Sequence, residues 1–183
     1  MNSLISRYKS ISTALDRADW LLPTLARFLF AAILLHYFWA SGLTKLGDGI
    51  SGLWQPSVGA YAQIFPKTME AVVYDTSQLG VYHWAVVTFG TWAEFILPLL
   101  IVVGMACRLA ALGMIGFVAV QSLTDLFGHN GIEQGTLGAW FDKAPDGIIL
   151  DQRALWVFLL LVLVIKGAGP LSLDRAFGGR VAA

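Results

Sequence analysis

Three charged residues lie within stretches of sequence that are otherwise almost entirely apolar. Glu94 follows Trp84 by ten residues, which at helical rise places it roughly 15 Å from that tryptophan. Arg27 stands roughly 10 Å beyond Trp20, and Lys166 stands near the end of the last apolar stretch. A charge inside a membrane costs about 2.5–3.5 kcal/mol on insertion scales, so it needs a partner or a function. We expect Glu94 to pair with Arg27 or Lys166 in an intramembrane polar cluster that relays protons or contacts a ligand.

This polar cluster has two interpretations, which the sequence leaves open. In the first, Glu94 and its basic partner handle protons or a ligand beside an apolar pocket, with Trp92 and Phe95 as walls. In the second, the charges form an ion pair that fixes helix packing and carries no chemistry. Glu94→Gln separates the two, because it changes ligand binding in the first case and folding alone in the second.

A second group of candidate residues includes every histidine of the chain. His36 lies in the first apolar stretch, His83 precedes the second, and Asp125 and His129 end the third. Asp125 and His129 share a face if the helix continues that far, because residues four apart are neighbours on a helix. His36, Asp125 and His129 are therefore candidates for a metal or proton-transfer site. No tight spacing motif joins them, so interfacial histidines are the favoured interpretation and we predict no metal site.

The composition identifies the kind of element that carries these residues. Hydrophobic residues make up 57% of the 183-residue chain and charged residues 13%, and the mean hydropathy is +0.68. Soluble domains have about 25% charged residues, so this composition excludes a disordered chain, a nucleic-acid-binding protein and most soluble enzymes. The 12 basic and 12 acidic residues balance. The single cysteine, Cys107, excludes a disulfide scaffold and a Cys-x-x-Cys pair. What remains is a small integral membrane protein.

Four segments are long and apolar enough to cross a membrane, which takes roughly 20 residues of helix. The expected spans are 20–43, 84–106, 109–126 and 154–173. The fourth is the weakest, since Lys166, Gly167 and Pro170 interrupt it, and we expect its regular helix to stop near Lys166 or Gly167. The predicted fold is therefore an all-α, four-transmembrane-helix bundle that forms a single domain over residues 1–183.

Two further features surround the bundle. Residues 3–19 place Leu4, Ile5, Tyr8, Ile11 and Leu15 on one face, which predicts an N-terminal amphipathic interfacial helix. The loop 44–83 is rich in aromatic residues, and we expect short surface helices over 58–74 with a break at Pro66. The second long loop, 127–152, is rich in glycine.

Basic residues in the flanks predict the orientation of the chain. The N-terminus, the turn between the second and third spans and the C-terminus carry Arg7, Lys9, Arg17, Arg108, Arg175 and Arg180. The two long loops carry Lys45, Lys67, Lys143 and Arg153. This excess predicts cytoplasmic N- and C-termini, with both long loops on the outer side.

Several short motifs, in their order and spacing, resemble those of the DoxX family. The first is Arg27 followed by the run SGLTKL at 41–46, and the second is Glu94 followed by GMACRLAA at 104–111. The third is GPLSLD at 169–174. The resemblance implies a four-helix protein of the bacterial inner membrane. It also implies that Arg27, Lys45, Glu94 and Arg108 occupy the polar positions of the family. The chain departs from the family at Cys107 and in the length of its two loops.

The resemblance also implies a link to quinone chemistry, because the family takes its name from subunits associated with thiosulfate:quinone oxidoreductase and terminal quinol oxidation. We predict a quinone-associated redox subunit that acts with a membrane or periplasmic partner protein. Quinone is the expected cofactor, contacted by Trp92, Phe95, Lys45 and Arg108, since no haem, flavin or iron–sulfur motif is visible. The chain itself would be a non-catalytic or quinone-binding subunit in contact with the lipid bilayer, and a homo-oligomer is compatible with this role.

Two other functions stay open at this point. The first is a non-enzymatic membrane anchor or assembly subunit of a redox, stress-response or metal-handling complex. The second is a small transporter that uses the outer histidines. Four spans without an inverted repeat argue against the transporter.

Overall fold

A computed structural model describes residues 2–16 and 18–178 of the chain. Within these ranges the structure is helical and contains no β-strand, apart from one isolated bridge between Leu137 and Ile149. The predicted all-α class is confirmed. Arg17 and Arg180, which contribute to the predicted orientation, lie outside the described residues. The α-helices are α1 Asn2–Asp16, α2 Leu21–Leu43, α3 Val58–Ile64, α4 Pro66–Ala71, α5 Val81–Val103, α6 Cys107–Gly128, α7 Gln152–Lys166 and α8 Leu173–Gly178.

Three of these helices, α2, α5 and α6, are long and apolar enough to span a membrane, with 23, 23 and 22 residues. They agree with the first three predicted spans. Helix α7 has 15 residues, about 22 Å of helix, and packs against α6 and α2. It ends at Lys166, as predicted, because Gly167 adopts a φ of +80° that breaks the helical path. That α7 is a fourth span stays a prediction.

Regular apolar spacing builds the core between α2, α6 and α7. Phe30, Leu34 and Phe38 recur every four residues on α2 and are buried. They pack with Met114 of α6 and Leu160 of α7 in one cluster. Many large apolar residues on the opposite faces are exposed, as the outer surface of a helical membrane protein requires. Since lipid is as apolar as these side chains, close packing holds such helices together.

Two segments of the spanning helices are wider than the α-helix. Residues Ala31–Leu35 of α2 and Thr124–Gly128 of α6 have π-helical hydrogen bonding. Such bulges are frequent at functional sites. The second one carries Asp125 and ends α6 on the side of the two long loops, which is called the loop face below. The opposite end, where α1 and α8 lie, is called the terminal face.

The loop 44–83 folds back over the loop face. Helix α3 ends at Ile64 and α4 begins with Pro66, as predicted, because proline suits the first position of a helix and cannot continue one. Tyr61 and Met69 pack against Val87 of α5 in a second small core. On the terminal face, α1 is helical as predicted and its five apolar residues are exposed. Its position on a membrane surface stays a prediction.

Candidate functional site

A buried ion pair joins Lys45 to Glu94 near the middle of α5. The Lys45 ammonium lies 3.0 Å from both carboxylate oxygens of Glu94, and the two side chains are only 7% and 4% exposed. Ser41 completes the group. Its hydroxyl accepts a hydrogen bond of 2.6 Å from Lys45 and donates one of 3.2 Å to Glu94. Every polar atom of this small network therefore has a partner, which is the condition for a charge pair to persist away from water.

The sequence positions this pair through a close approach of α2 and α5. A Cβ atom on Gly42 would stand 2.7 Å from the ring of Phe95, so glycine is needed where the two helices touch. Ser41, the preceding residue, then reaches Glu94. Helix α2 ends at Leu43, and the turn that follows carries Lys45 back toward α5, with its backbone N–H bonded to the carbonyl of Gly42 at 3.0 Å.

The predicted pairing of Glu94 with Arg27 or Lys166 is wrong. Arg27 and Ser41 are 14 residues apart on one helix, about 21 Å along its axis. An arginine side chain cannot cover that distance. Lys166 ends α7 on the terminal face and forms an ion pair of 2.8 Å with Asp19 instead. The three residues predicted as one cluster therefore occupy separate sites.

Arg27 belongs to a hydrogen-bonded site on the terminal face. Its guanidinium donates to the carbonyls of Ile101 and Val102 at the end of α5, and of Ala168 and Leu171 in the segment after α7. It thereby ties the last described segment of the chain to α2 and α5. Gly104 permits this approach, since its φ is +70° and a Cβ there would stand 2.6 Å from Ser172.

Asp174 closes the same site from the C-terminal side. Its carboxylate accepts hydrogen bonds from the backbone N–H groups of Ala106 (2.6 Å) and Cys107 (2.9 Å), which begin α6. A carboxylate at a helix N-terminus satisfies orphan donors and complements the helix dipole. The Asp174 N–H in turn donates to the Gly104 carbonyl at 2.8 Å. We call Arg27, Gly104 and Asp174 the terminal clamp.

The pair between Lys166 and Asp19 lies at the surface and gives a pH-dependent prediction. The hydrogen bond and charge of Lys166 hold the pKa of Asp19 below its usual value. The pair therefore contributes stability above the unfolded pKa of Asp19, and this contribution is lost as the pH falls through the lower folded pKa. Asp19→Asn should lower the unfolding midpoint at neutral pH slightly, by the small contribution of an exposed pair, and should leave it unchanged at low pH, where Asp19 is protonated. It should flatten the decline in thermal stability below about pH 4, and an equally steep decline in the variant would contradict this role.

The residues predicted to contact a cofactor are spread over the molecule. Of that set only Lys45 borders the cavity beside Glu94. Trp92 turns toward the loop 44–83, where its ring N–H donates to the Leu53 carbonyl at 2.8 Å. Phe95 packs on Gly42, and Arg108 donates to the Val164 carbonyl at 3.1 Å near the terminal face.

The cavity itself has a volume of about 380 Å³ and lies between α5 and α6, under α3. Glu94, Lys45 and Ser41 form one wall. Small residues form the sides: Gly90 and Ala93 on α5, and Gly113 and Gly116 on α6. Toward the loop face the lining becomes polar, with Gln63, Gln121, Thr124, Asp125 and His129.

The candidate metal ligands do not come together. Among residues 2–16 and 18–178, no group of three histidine, cysteine, aspartate or glutamate side chains is arranged to hold a metal ion. His36 is exposed on α2, Asp125 pairs with Arg153 at 2.6 Å, and His129 contacts the Gln63 carbonyl through Nε2 at 2.9 Å.

The sequence analysis does not predict several residues of these sites, among them Ser41, Gln121, Arg153 and Asp174. Ser41 and Asp174 stand in the motifs at 41–46 and 169–174, but their side-chain partners could not be read from spacing. Gln121 is an uncharged polar residue inside a span, which is a signal in itself. Arg153 is buried at the start of α7, although its position next to a loop suggested a solvent-exposed charge.

The fold and the buried site together define a small helical membrane protein with an intramembrane ion pair beside a cavity. A family model described as DoxX matches residues 22–125, more than half of the chain, and the chain belongs to the DoxX family. The match includes Arg27, Lys45, Glu94 and Arg108. Neither the curated proteins nor the solved structures include one that matches this chain.

Proposed function

We propose that this chain is the quinone-binding membrane subunit of a redox system, and that the cavity beside Lys45 and Glu94 receives the quinone headgroup. The observation that carries the proposal is the combination of an apolar cavity and a buried, protonatable ion pair in its wall. Ligand sites of this kind have volumes of about 300–1,000 Å³ and few, convergent polar groups. The cavity meets both conditions.

The residues present fit a quinone headgroup. The three N–H donors of Lys45 are taken by Glu94 and Ser41, and one of them can turn to a carbonyl oxygen of the ligand when Glu94 is protonated. The protonated Glu94 carboxyl group can itself donate a hydrogen bond to such an oxygen. Leu97 and Phe117 offer apolar surface to the ring. A bound quinone supplies reversible two-electron, two-proton chemistry, and the residues of this chain hold the ring and exchange protons at the Glu94 carboxyl group. Electrons would come from the partner subunit.

A lateral opening supports entry of the ligand from the bilayer. Gly113, Gly116 and Val120 line the cavity and are also exposed on the outer surface of α6. The gap between α5 and α6 would thus admit a headgroup whose apolar tail stays in lipid.

Gly116→Leu tests this entry directly. A Cβ at Gly116 meets no atom within 4 Å, so the larger side chain fits without strain and fills the opening. We expect the affinity for a short-chain ubiquinone or menaquinone analogue in nanodiscs to fall at least about tenfold, the equivalent of about 1.4 kcal/mol. The affinity is measured by the quenching of tryptophan fluorescence as the analogue binds.

Ala119→Leu is the matched control, because Ala119 is exposed on α6 but does not line the cavity. It should bind the analogue as the unmodified chain does. Equal affinity in Gly116→Leu and the unmodified chain would contradict entry through this gap, and no binding of either analogue to the unmodified chain would overturn the proposed function.

A second candidate function is that of a membrane anchor or assembly subunit, and α1 favours it. Leu4, Tyr8 and Leu15 are exposed on this helix and offer an apolar face to a partner or to lipid. Native mass spectrometry after gentle extraction with lipid distinguishes the two functions. A bound quinone mass supports the first, and a stoichiometric protein partner without a small molecule supports the second.

The membrane topology belongs to the same proposal. We take α7 as the fourth span, in a bacterial inner membrane with cytoplasmic termini. Two of the four basic residues on the loop face, Lys45 and Arg153, are buried in ion pairs. All four still count toward the topology, and the six basic residues of the N-terminus, of the turn between α5 and α6 and of the C-terminus exceed them, which supports the orientation.

A further inference from the structure

The polar residues of the cavity lie on one side of Glu94. Gln121, Thr124 and Asp125 follow one another on α6 toward the loop face, and Gln63 of α3 and His129 lie at the same end. Toward the terminal face, the cavity is lined by Leu97, Gly113 and Phe117, which offer no side-chain hydrogen bond. A polar path therefore leads from Glu94 in one direction only.

A second ion pair stands at the outer end of this path. Arg153 donates to Asp125 at 2.6 Å and to the Ser122 hydroxyl at 3.0 Å. The Arg153 side chain is 5% exposed, whereas that of Asp125 is 33% exposed. Asp125 thus borders the cavity and also reaches the solvent-accessible end, while Glu94 at the inner end is only 4% exposed.

An unsatisfied group indicates that water enters the path. The side-chain oxygen of Gln121 is buried and has no hydrogen-bond partner among the described residues, although its nitrogen donates to the Tyr37 hydroxyl at 3.0 Å. Buried polar atoms are nearly always bonded to protein or ordered water, and the polar end of a cavity of this size can hold water molecules. Water is therefore the natural partner of Gln121.

We propose that this polar lining forms a water-filled proton route from the loop face to Glu94. A proton that arrives from water at Asp125 or His129 passes through the cavity to the Glu94 carboxylate, and the reverse transfer returns it to the same face. The ionisable groups that line the cavity together with Glu94 are Lys45, from the turn after α2, Asp125 of α6 and His129. Asp125 pairs with Arg153 of α7, and α3 contributes the neutral Gln63. The biological role of this route rests on the proposed quinone function. The path of the route depends only on the cavity and its lining residues.

Cysteine accessibility tests the route without any quinone. The chain has one cysteine, Cys107, which is buried and serves as the unlabelled background. Ala93→Cys places a thiol in the cavity, Ile96→Cys places one on the lipid-exposed face of α5, and Lys143→Cys marks the loop face. The probe is a charged, membrane-impermeant methanethiosulfonate added to one side of sealed vesicles.

We expect Ala93→Cys to react from the same side as Lys143→Cys, and at least tenfold faster than Ile96→Cys. Reaction from the opposite side only, or at the rate of Ile96→Cys, would overturn the route. If Ala93→Cys does not fold, Gly90→Cys replaces it, since a Cβ there meets only the end of Ile64 at 3.9 Å.

Proton transfer itself is measured by infrared spectroscopy after a pH jump on one side of the vesicles. The signal is the carboxyl band that is absent in Glu94→Gln. It should respond to the pH on the loop face, and a response confined to the terminal face would refute the route. The double variant Asp125→Asn with Arg153→Gln removes both charges of the outer pair, so no unpaired charge is left behind. It should slow the response of the Glu94 carboxyl band to the pH jump several-fold. Failure to bind quinone would leave these results unchanged, so the two proposals fail separately.

Discussion

Lys45→Met should destabilise the protein by about 3–5 kcal/mol, because it leaves the Glu94 carboxylate buried without its counter-charge. The Lys45 ammonium supplies hydrogen bonds to both carboxylate oxygens. The Ser41 hydroxyl alone cannot replace them. The free energy of unfolding, measured by denaturant titration in mixed micelles, gives the size of the loss.

The double variant Lys45→Met with Glu94→Leu separates the cost of one unpaired charge from the value of the pair. Replacing both partners of a buried pair by apolar residues is often neutral or stabilising by about 1–4 kcal/mol. We expect the double variant to recover most of the stability and to lose quinone binding. If it binds the quinone analogue as the unmodified chain does, the pair only fixes the packing of α2 against α5.

Glu94→Gln alone gives a milder version of the same test. The amide oxygen keeps an acceptor for Lys45 but leaves its buried ammonium without a counter-charge, so we expect a loss of stability with insertion and helix content retained. The dependence of quinone affinity on pH should disappear. An unchanged pH dependence would assign the proton chemistry to another group.

The spanning helices could be predicted because hydropathy and helix length depend on local sequence. Helices α2 and α5 begin within three residues of the predicted positions, and α7 ends at Lys166 as expected. The pairing of the charges depends on how the helices are aligned along their axes. The alignment of α2 and α5 includes the close contact of Gly42 with Phe95 and the hydrogen bond from Trp39 to the Phe95 carbonyl, and a periodicity argument cannot detect such contacts.

The same reasoning explains why the site could be predicted only in part. Glu94 stood out because it is an acid in the middle of an apolar segment. Lys45 lies just past the end of a span, where an exposed lysine is ordinary, and only the return of the chain after Leu43 brings it into the interior. The sequence makes Asp125 a candidate metal ligand, but Arg153, in the first turn of α7, forms an ion pair with its carboxylate.

Arg27→Met should be as damaging as the loss of Lys45, although it acts at the other end of the molecule. Four backbone carbonyls from two segments accept hydrogen bonds from this one guanidinium. Hydrogen bonds to a charged group contribute about 1.5–3 kcal/mol each and do not add fully, so we expect a loss of about 3–5 kcal/mol in the free energy of unfolding. The control for the loss of one charge is Arg175→Gln, because Arg175 is an exposed basic residue of α8.

Arg27→Lys distinguishes the geometry of the clamp from its charge. A lysine keeps the positive charge but concentrates its donors at one point, whereas guanidinium donors spread in a plane can reach separate segments. We therefore expect the lysine variant to retain less than half of the contribution of Arg27 to the free energy of unfolding.

The backbone N–H groups of Ala106, Cys107 and Asp174 should also exchange hydrogen faster in Arg27→Lys than in the unmodified chain, because the clamp protects all three. Unchanged exchange in Arg27→Lys would show that charge alone holds the clamp. Since neither Arg27 nor Asp174 borders the cavity, a folded clamp variant should still bind the quinone analogue. This result would separate the buried polar residues of this chain into one site for stability and one for chemistry.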